Sequence, residues 1–226
     1  MSTTLSSKFK GYNSPEYQII KDVFASIPMM DVYVANVVEE YIYSTVIEYY
    51  PSLDGTRYLK CEYRTKYGEK DGEQKEWYRS GQLMGQTFYV EGLKHGEYKH
   101  WSCNGQLHVQ TTYVEGKKHG EYKMWYYNSD QLEVQTFYVE GLKYGEYKQW
   151  YRGADNSVED RSQLEIQTTY VDDKVHGEYK EFFTNGQIRI QTTYVNNKTH
   201  GEYKEFNEDG QLVYKIPYIS GVISMD

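Results

Sequence analysis

The sequence predicts a mainly β protein: an elongated, single-layer antiparallel β-meander of hairpin repeats, preceded by a short helical head. Three observations carry this. The four letters Gly-Glu-Tyr-Lys recur with their glycines at Gly96, Gly120, Gly145, Gly177 and Gly201, and a variant copy starts at Gly72. The steps between these glycines are 24, 24, 25, 32 and 24 residues, and a period in the twenties marks stacked supersecondary units. Of the 226 residues 27 are Tyr and only three are Ala (Ala25, Ala35, Ala154), which disfavours helix over most of the length and leaves tyrosine to do much of the burying.

The head comes first. Ser14-Pro15-Glu16 supplies an N-cap, a first-turn proline and a first-turn acid. Ile19, Ile20, Val23, Phe24 and Ile27 follow at helical spacing, so a helix is expected over residues 15–26, ended by Pro28. Asp31 is placed to cap a second helix over residues 32–44, with Val34, Val37, Val38, Tyr41 and Ile42 as its apolar face. Residues 1–56 are therefore expected to form a helical cap over the first strand, since an open array needs its edge covered. The run Ile27-Pro28 followed by Val37-Val38-Glu39-Glu40-Tyr41-Ile42 is also similar to the start of an F-box.

Residues 57–219 form the six repeats. Five positions after each repeat glycine stands an aromatic: Trp77, Trp101, Trp125, Trp150, Phe182 and Phe206. A turn follows, such as Asn104-Gly105, then a Gln (Gln82, Gln106, Gln131, Gln163, Gln187, Gln211), then a Tyr seven residues later. Asn-Gly between alternating segments is a strong hairpin signal. Leu107, Val109, Thr111 and Tyr113 share one face of a strand, and the intervening positions are polar, which is the alternation of a half-wet strand. A two-residue turn at Asn104-Gly105 places Ser102 opposite Leu107, His100 opposite Val109 and Tyr98 opposite Thr111, with Trp101 on the other face beside His108. The return connection from Val114 to Gly120 reads as a longer turn. At two strands per repeat the array comes to about 13 strands and roughly 60 Å. The 32-residue step carries extra residues at a hairpin tip, 153–161, which read as a neutral insertion or as a binding loop.

The stretch from Tyr113 to Tyr122 and its sister copies resembles MORN repeats (membrane occupation and recognition nexus): an aromatic, a Gly-Lys turn, a Gly, and a second aromatic strand. The Asn-Gly-Gln-Leu turns with a short helical head are similar in style to MORN proteins of large DNA viruses, and a bacterial antitoxin-like group shares the turn. The chain departs from the common pattern in placing Glu-Tyr-Lys where Gly often sits, and in its longer steps. The resemblance implies a non-catalytic interaction module, often dimeric, and, if the chain is viral, host proteins as partners in the host cytoplasm.

At the far end Lys215 stands where other repeats have Gln, and Pro217 where they have Thr or Phe. Proline is confined to edge strands, so Pro217 marks the terminal edge. The tail, residues 220–226, is expected to fold back over that edge or to pair with a second chain.

Composition excludes several function classes. The net charge of −8 argues against nucleic acid and disfavours anionic lipid. No apolar run reaches membrane-spanning length, and no secretory signal is evident at the start, so a cytoplasmic location is expected. Cys61 and Cys103 read as two plain thiols. The histidines before the repeat glycines, His95, His119, His176 and His200, sit on strands two apart, roughly 9.5 Å, too far to converge on one zinc at about 2.1 Å. His100 and His108 read as surface-facing. No metal, no cofactor and no catalytic residue is expected.

What remains is a repeat scaffold for protein–protein interaction, including homodimerisation through the C-terminal repeats and tail. Two alternatives stand beside it: an F-box-like adaptor whose head recruits a ubiquitin ligase while the repeats hold the target, and phospholipid-headgroup binding at a membrane surface. The candidate interaction surface is the face carrying Tyr98, Tyr122, Tyr147, Tyr179 and Tyr203, with Trp101, Trp125 and Trp150 as its rival on the other face.

Overall fold

A computed structural model describes residues 42–52, 55–153 and 163–224. The helix expected over 15–26, residues 32–41 of the second helix, the F-box-like segment up to Tyr41 and the tip from Ala154 to Arg161 lie outside the described residues.

The first strand, β1 (Tyr43–Tyr50), pairs with β2 (Tyr58–Lys66). β1 begins inside the segment assigned to the helical head, so residues 43–44 are strand and not the end of a helix. Its run Tyr-Ser-Thr-Val-Ile-Glu-Tyr-Tyr is rich in the β-branched and aromatic residues that fit a pleated surface. The meander then proceeds through β3 (Glu69–Trp77), β4 (Leu83–Val90), β5 (Leu93–Trp101), β6 (Leu107–Val114), β7 (Lys117–Trp125), β8 (Leu132–Val139), β9 (Leu142–Trp150) and β10 (Leu164–Val171). Two repeats follow in which the leading strand is broken at a histidine: β11 (Lys174–Val175) with β12 (Gly177–Phe182) and β13 (Ile188–Val195), then β14 (Lys198–Thr199) with β15 (Gly201–Phe206) and β16 (Leu212–Ile219). The last strand is β17 (Val222–Ile223). All the described strands belong to one open antiparallel sheet of 17 strands. The excess over the expected number comes from β1, β17 and the two breaks at His176 and His200.

The two kinds of turn exchange the roles assigned to them. The tight two-residue turn is the return connection: Glu115 and Gly116 have φ of 49° and 79°, and Asn196-Asn197 have 52° and 66°. Positive φ at both central residues is the geometry whose twist matches a hairpin. At the Asn-Gly end only Gly105 has positive φ, 88°. There the Gly105 N–H donates to the Ser102 carbonyl at 2.9 Å and the Ser102 N–H donates to the Gln106 carbonyl at 2.8 Å, a three-residue loop.

That longer loop shifts the register by one, and a β-bulge restores it. Tyr98 faces Thr111 and His100 faces Val109, as expected, but Trp101 faces Leu107. His108 is the extra residue. It lies 5.9 Å from the His100 ring, on the tyrosine face, and not beside Trp101. Directly opposed residues share a side of the sheet, so the bulge moves Leu107 over to the tryptophan side. The same shift recurs next to Trp77, Trp125, Phe182 and Phe206.

Among the described residues Cys61 is the only buried apolar side chain. The interior is instead a row of threonines along the middle of the sheet: Thr65, Thr87, Thr111, Thr136, Thr168 and Thr192 are all buried. The tail folds back, one of the two arrangements expected of it. Ser220-Gly221 form a tight turn with φ of 51° and 87°, Val222 and Ile223 pair with Ile219 and Tyr218, and the Ser224 N–H donates to the Pro217 carbonyl at 2.9 Å. The tail thus opens a further hairpin that covers one end of the terminal strand.

Candidate interaction surface

One face of the sheet carries a repeated aromatic unit. Tyr98, Tyr122, Tyr147, Tyr179 and Tyr203 each meet, edge to face, the tyrosine of the following strand: Tyr113 at 5.9 Å, Tyr138 at 5.6 Å, Tyr170 at 5.5 Å, Tyr194 at 5.6 Å and Tyr218 at 6.3 Å between ring centroids. Such contacts add a modest attraction beyond area burial. All ten rings are half-buried. Burial pushes the phenol pKa of Tyr98, Tyr122 and Tyr179 above the ordinary value, and that of Tyr147 to about 12.

A lysine two residues before the repeat glycine lies over the pair in the earlier repeats. Lys94 Nζ is 4.9 Å from the Tyr98 centroid and 5.2 Å from that of Tyr113. Lys118 stands 4.5 Å and 4.9 Å from Tyr122 and Tyr138, and Lys143 stands 5.2 Å and 5.0 Å from Tyr147 and Tyr170. These are cation–π distances. Lys118 is pressed most: burial, then the charges of Lys143 and Lys94, lower its pKa.

The opposite face is a charge ladder. Each Glu of the repeat motif meets the Lys two residues on, as in Glu97–Lys99 at 2.8 Å and Glu146–Lys148 at 2.9 Å. Each also accepts from the Gln of the next strand, as from Gln110 Nε2 at 2.7 Å to Glu97 and Gln135 Nε2 at 2.7 Å to Glu121. At the last copy Lys215 replaces the Gln, and its bond joins that of Lys204 to hold the Glu202 carboxyl down to about 2. Exposed pairs of this kind contribute little to stability.

Trp101, Trp125 and Trp150 are half-buried and face Leu107, Leu132 and Leu164. Their backbone, not only their rings, joins the repeats. The Tyr78 hydroxyl donates to the Trp101 carbonyl at 2.9 Å, Tyr126 to that of Trp150 at 2.7 Å, and Tyr151 to that of Phe182 at 2.7 Å. After Trp101 the chain has Ser102 instead of Tyr, and His108 takes over: its Nδ1–H donates to the Trp125 carbonyl at 2.7 Å. After Phe182 it has Phe183, which has no hydroxyl to give. This seam lies outside the periodicity of the strands; its signal in the sequence is the doublets Trp77-Tyr78, Trp125-Tyr126 and Trp150-Tyr151. Tyr126→Phe is expected to cost about 1 kcal/mol by removing one such bond, and Phe183→Tyr to restore the missing one with a gain of similar size. Urea unfolding of the two variants checks both signs.

The histidines differ from expectation in one respect. His95, His119, His176 and His200 are exposed at the bulges, whereas His100 and His108 are half-buried against each other and not surface-facing. Burial, then the neighbouring His108, lowers the His100 pKa. Among the described residues no group of three potential ligands could hold a metal ion.

The geometry defines an open hairpin-repeat array in which consecutive repeats are joined by tyrosine hydroxyls and layered tyrosine pairs. The family model described as MORN repeat variant matches residues 70–91, 94–115, 175–196 and 199–220. The chain is a MORN-repeat protein. Each matched segment starts at the residue two before the repeat glycine, and the repeats between 118 and 171 have the same aromatic unit. MORN repeats are non-catalytic modules consistent with a scaffold for protein or lipid interaction. A comparison with the curated proteins found no match.

Proposed function

We propose that this protein is a non-catalytic scaffold mediating protein–protein interaction, including self-association through its C-terminal repeats and tail. The supporting observation is the terminal strand. Leu212, Val213 and Tyr214 are exposed on consecutive residues of β16, and Val222 is 69% exposed on β17. Large apolar residues side by side on both faces of an edge strand favour pairing with another chain, and β17 covers only the far end of that strand. The partners are proteins of the cytoplasm, host proteins if the chain is viral. Light scattering over a concentration series tests the self-association: a dimer is expected, and Val213→Lys with Val222→Glu should shift it to monomer while the circular dichroism stays unchanged. A monomer at every concentration sinks the self-association reading.

A further inference from the structure

The lysine that lies over each tyrosine pair is absent from the last two repeats. The position that holds Lys94, Lys118 and Lys143 holds Val175 and Thr199 instead. The pairs themselves persist: Tyr179 with Tyr194 at 5.6 Å and 75°, and Tyr203 with Tyr218 at 6.3 Å and 70°. Cation–π attraction is used in the earlier repeats and left open in these two.

Carboxylates stand on the same face of these repeats. Four residues after the repeat glycine, where three earlier repeats have His100, Met124 and Gln149, these repeats have Glu181 and Glu205; the first repeat also has an acid there, Glu76, but keeps Lys70 over its own tyrosines. Glu181 accepts from Arg189 at 2.9 Å and, more weakly, from the Tyr179 hydroxyl at 3.4 Å. Glu205 is half-buried and has no ion pair or hydrogen bond among the described residues. After burial, Glu205 and then Glu181 are the groups that raise the Tyr203 pKa, so both carboxylates act on that ring. At Glu181 the chain supplies its own cation, Arg189; Glu205, a half-buried carboxylate beside an unoccupied pair of π-faces, is complementary to an ammonium group that the chain does not itself supply.

We propose that Tyr179/Tyr194 and Tyr203/Tyr218, with the Glu205 carboxylate beside the second pair, form two adjacent receptors for the lysine side chains of a basic segment on a partner protein. This rests on the scaffold reading and gives it a partner chemistry. The two pairs are one repeat, or two strands, apart, roughly 9.5 Å. A segment in polyproline II conformation rises about 9.3 Å in three residues and returns its side chain to the same side, so the fitting ligand has the pattern Lys-x-x-Lys. The acidic balance of the whole chain favours the approach of such a segment.

The test is calorimetric titration of the full chain with a blocked Gly-Lys-Gly-Gly-Lys-Gly peptide and with the same peptide acetylated on both lysines. Saturable binding is expected for the first and weakening of about tenfold or more for the second. The decisive variant is Val175→Lys with Thr199→Lys, which fills both positions as the earlier repeats fill theirs and so preserves the local fold. It should weaken the unmodified peptide about tenfold or more with an unchanged thermal midpoint. Glu205→Gln, which alters one carboxylate only, should weaken it less. Absence of saturation, or equal affinity for the filled variant, overturns the proposal. Light scattering on the same samples separates the two readings: a chain that self-associates but ignores the peptide overturns the lysine receptor and leaves the scaffold standing. If the filled variant loses self-association instead, the occupant is a second copy and the partner-peptide reading falls.

Discussion

Thr136→Val will lower the stability of the array by about 1–3 kcal/mol, the cost of stranding a buried polar group. Thr136 is 1% exposed, and its hydroxyl donates to the Glu146 carbonyl at 3.2 Å. That bond has a structural reason. Gly145 takes a φ of 84°, and the register between β8 and β9 slips after Thr136, from Thr136 opposite Tyr147 to Tyr138 opposite Lys143. At the slip the ladder is interrupted, and a side-chain hydroxyl serves the backbone carbonyl. Thr111 does the same for Glu121 at 3.2 Å and Thr168 for Glu178 at 3.0 Å. Valine keeps the volume and β-propensity of threonine, so the loss isolates the hydrogen bond. Thr192 provides the control, because it is comparably buried but its Oγ1 has no partner; Thr192→Val strands nothing and should leave stability unchanged or raise it. Urea unfolding with the slope held constant reads both. Equal effects at the two positions would remove the special role of the Glu146 contact.

Alkaline unfolding is the second large effect. The tyrosine row is neutral in the folded state, and burial raises its pKa, to about 12 for Tyr147. In the unfolded chain the same phenols titrate near about 10. A folded pKa above the unfolded one contributes stability that is whole below pH about 10 and is lost as pH rises through the folded value. Tyr89, Tyr98, Tyr113, Tyr122, Tyr138 and Tyr170 shift in the same direction, burial being the first cause in each. Their losses coincide, so the sheet should unfold cooperatively between pH about 10 and about 12, with phenolate absorbance rising in the same transition. Phenols that ionise near their unperturbed value while the β-signal persists would contradict the burial argument.

Much of this was legible because period and alternation are local properties. The recurrence of Gly-Glu-Tyr-Lys and the alternation of Leu107 to Tyr113 suffice for strands, for their number per repeat and for the pairing of Tyr98 with Thr111. The turns were not legible in the same way. Asn-Gly is the stronger hairpin signal, yet Glu115-Gly116 makes the tighter turn, with a glutamate held at positive φ by the pairing around it. A bulge is invisible in alternation, so the positions of His108 and Leu107 followed only from the register. The tyrosine pairs were half visible: Tyr98 and its equivalents stood out by their motif, but the lysine over each pair joins residues that periodicity treats as a separate, polar class. The threonine interior was hidden because burial is ordinarily sought among apolar residues, whereas here Thr111, Thr136 and Thr168 bury hydroxyls that satisfy the interrupted ladder.

The seam after Phe182 gives the array an uneven mechanical profile. From Tyr50 of β1, whose hydroxyl donates to the Trp77 carbonyl at 2.7 Å, to β12 the tyrosine and histidine donors clamp carbonyl after carbonyl, but Phe183 offers none, and the two repeats around it also lack the lysine that ties a tyrosine pair together. In a structure whose cohesion is nearly a sum of neighbour terms, such a joint opens before the others. The protein is thus a stiff rod with a compliant end. Hydrogen exchange should run fastest from β13 onward, so the end that carries the open tyrosine pairs is also the end that can bend to a partner.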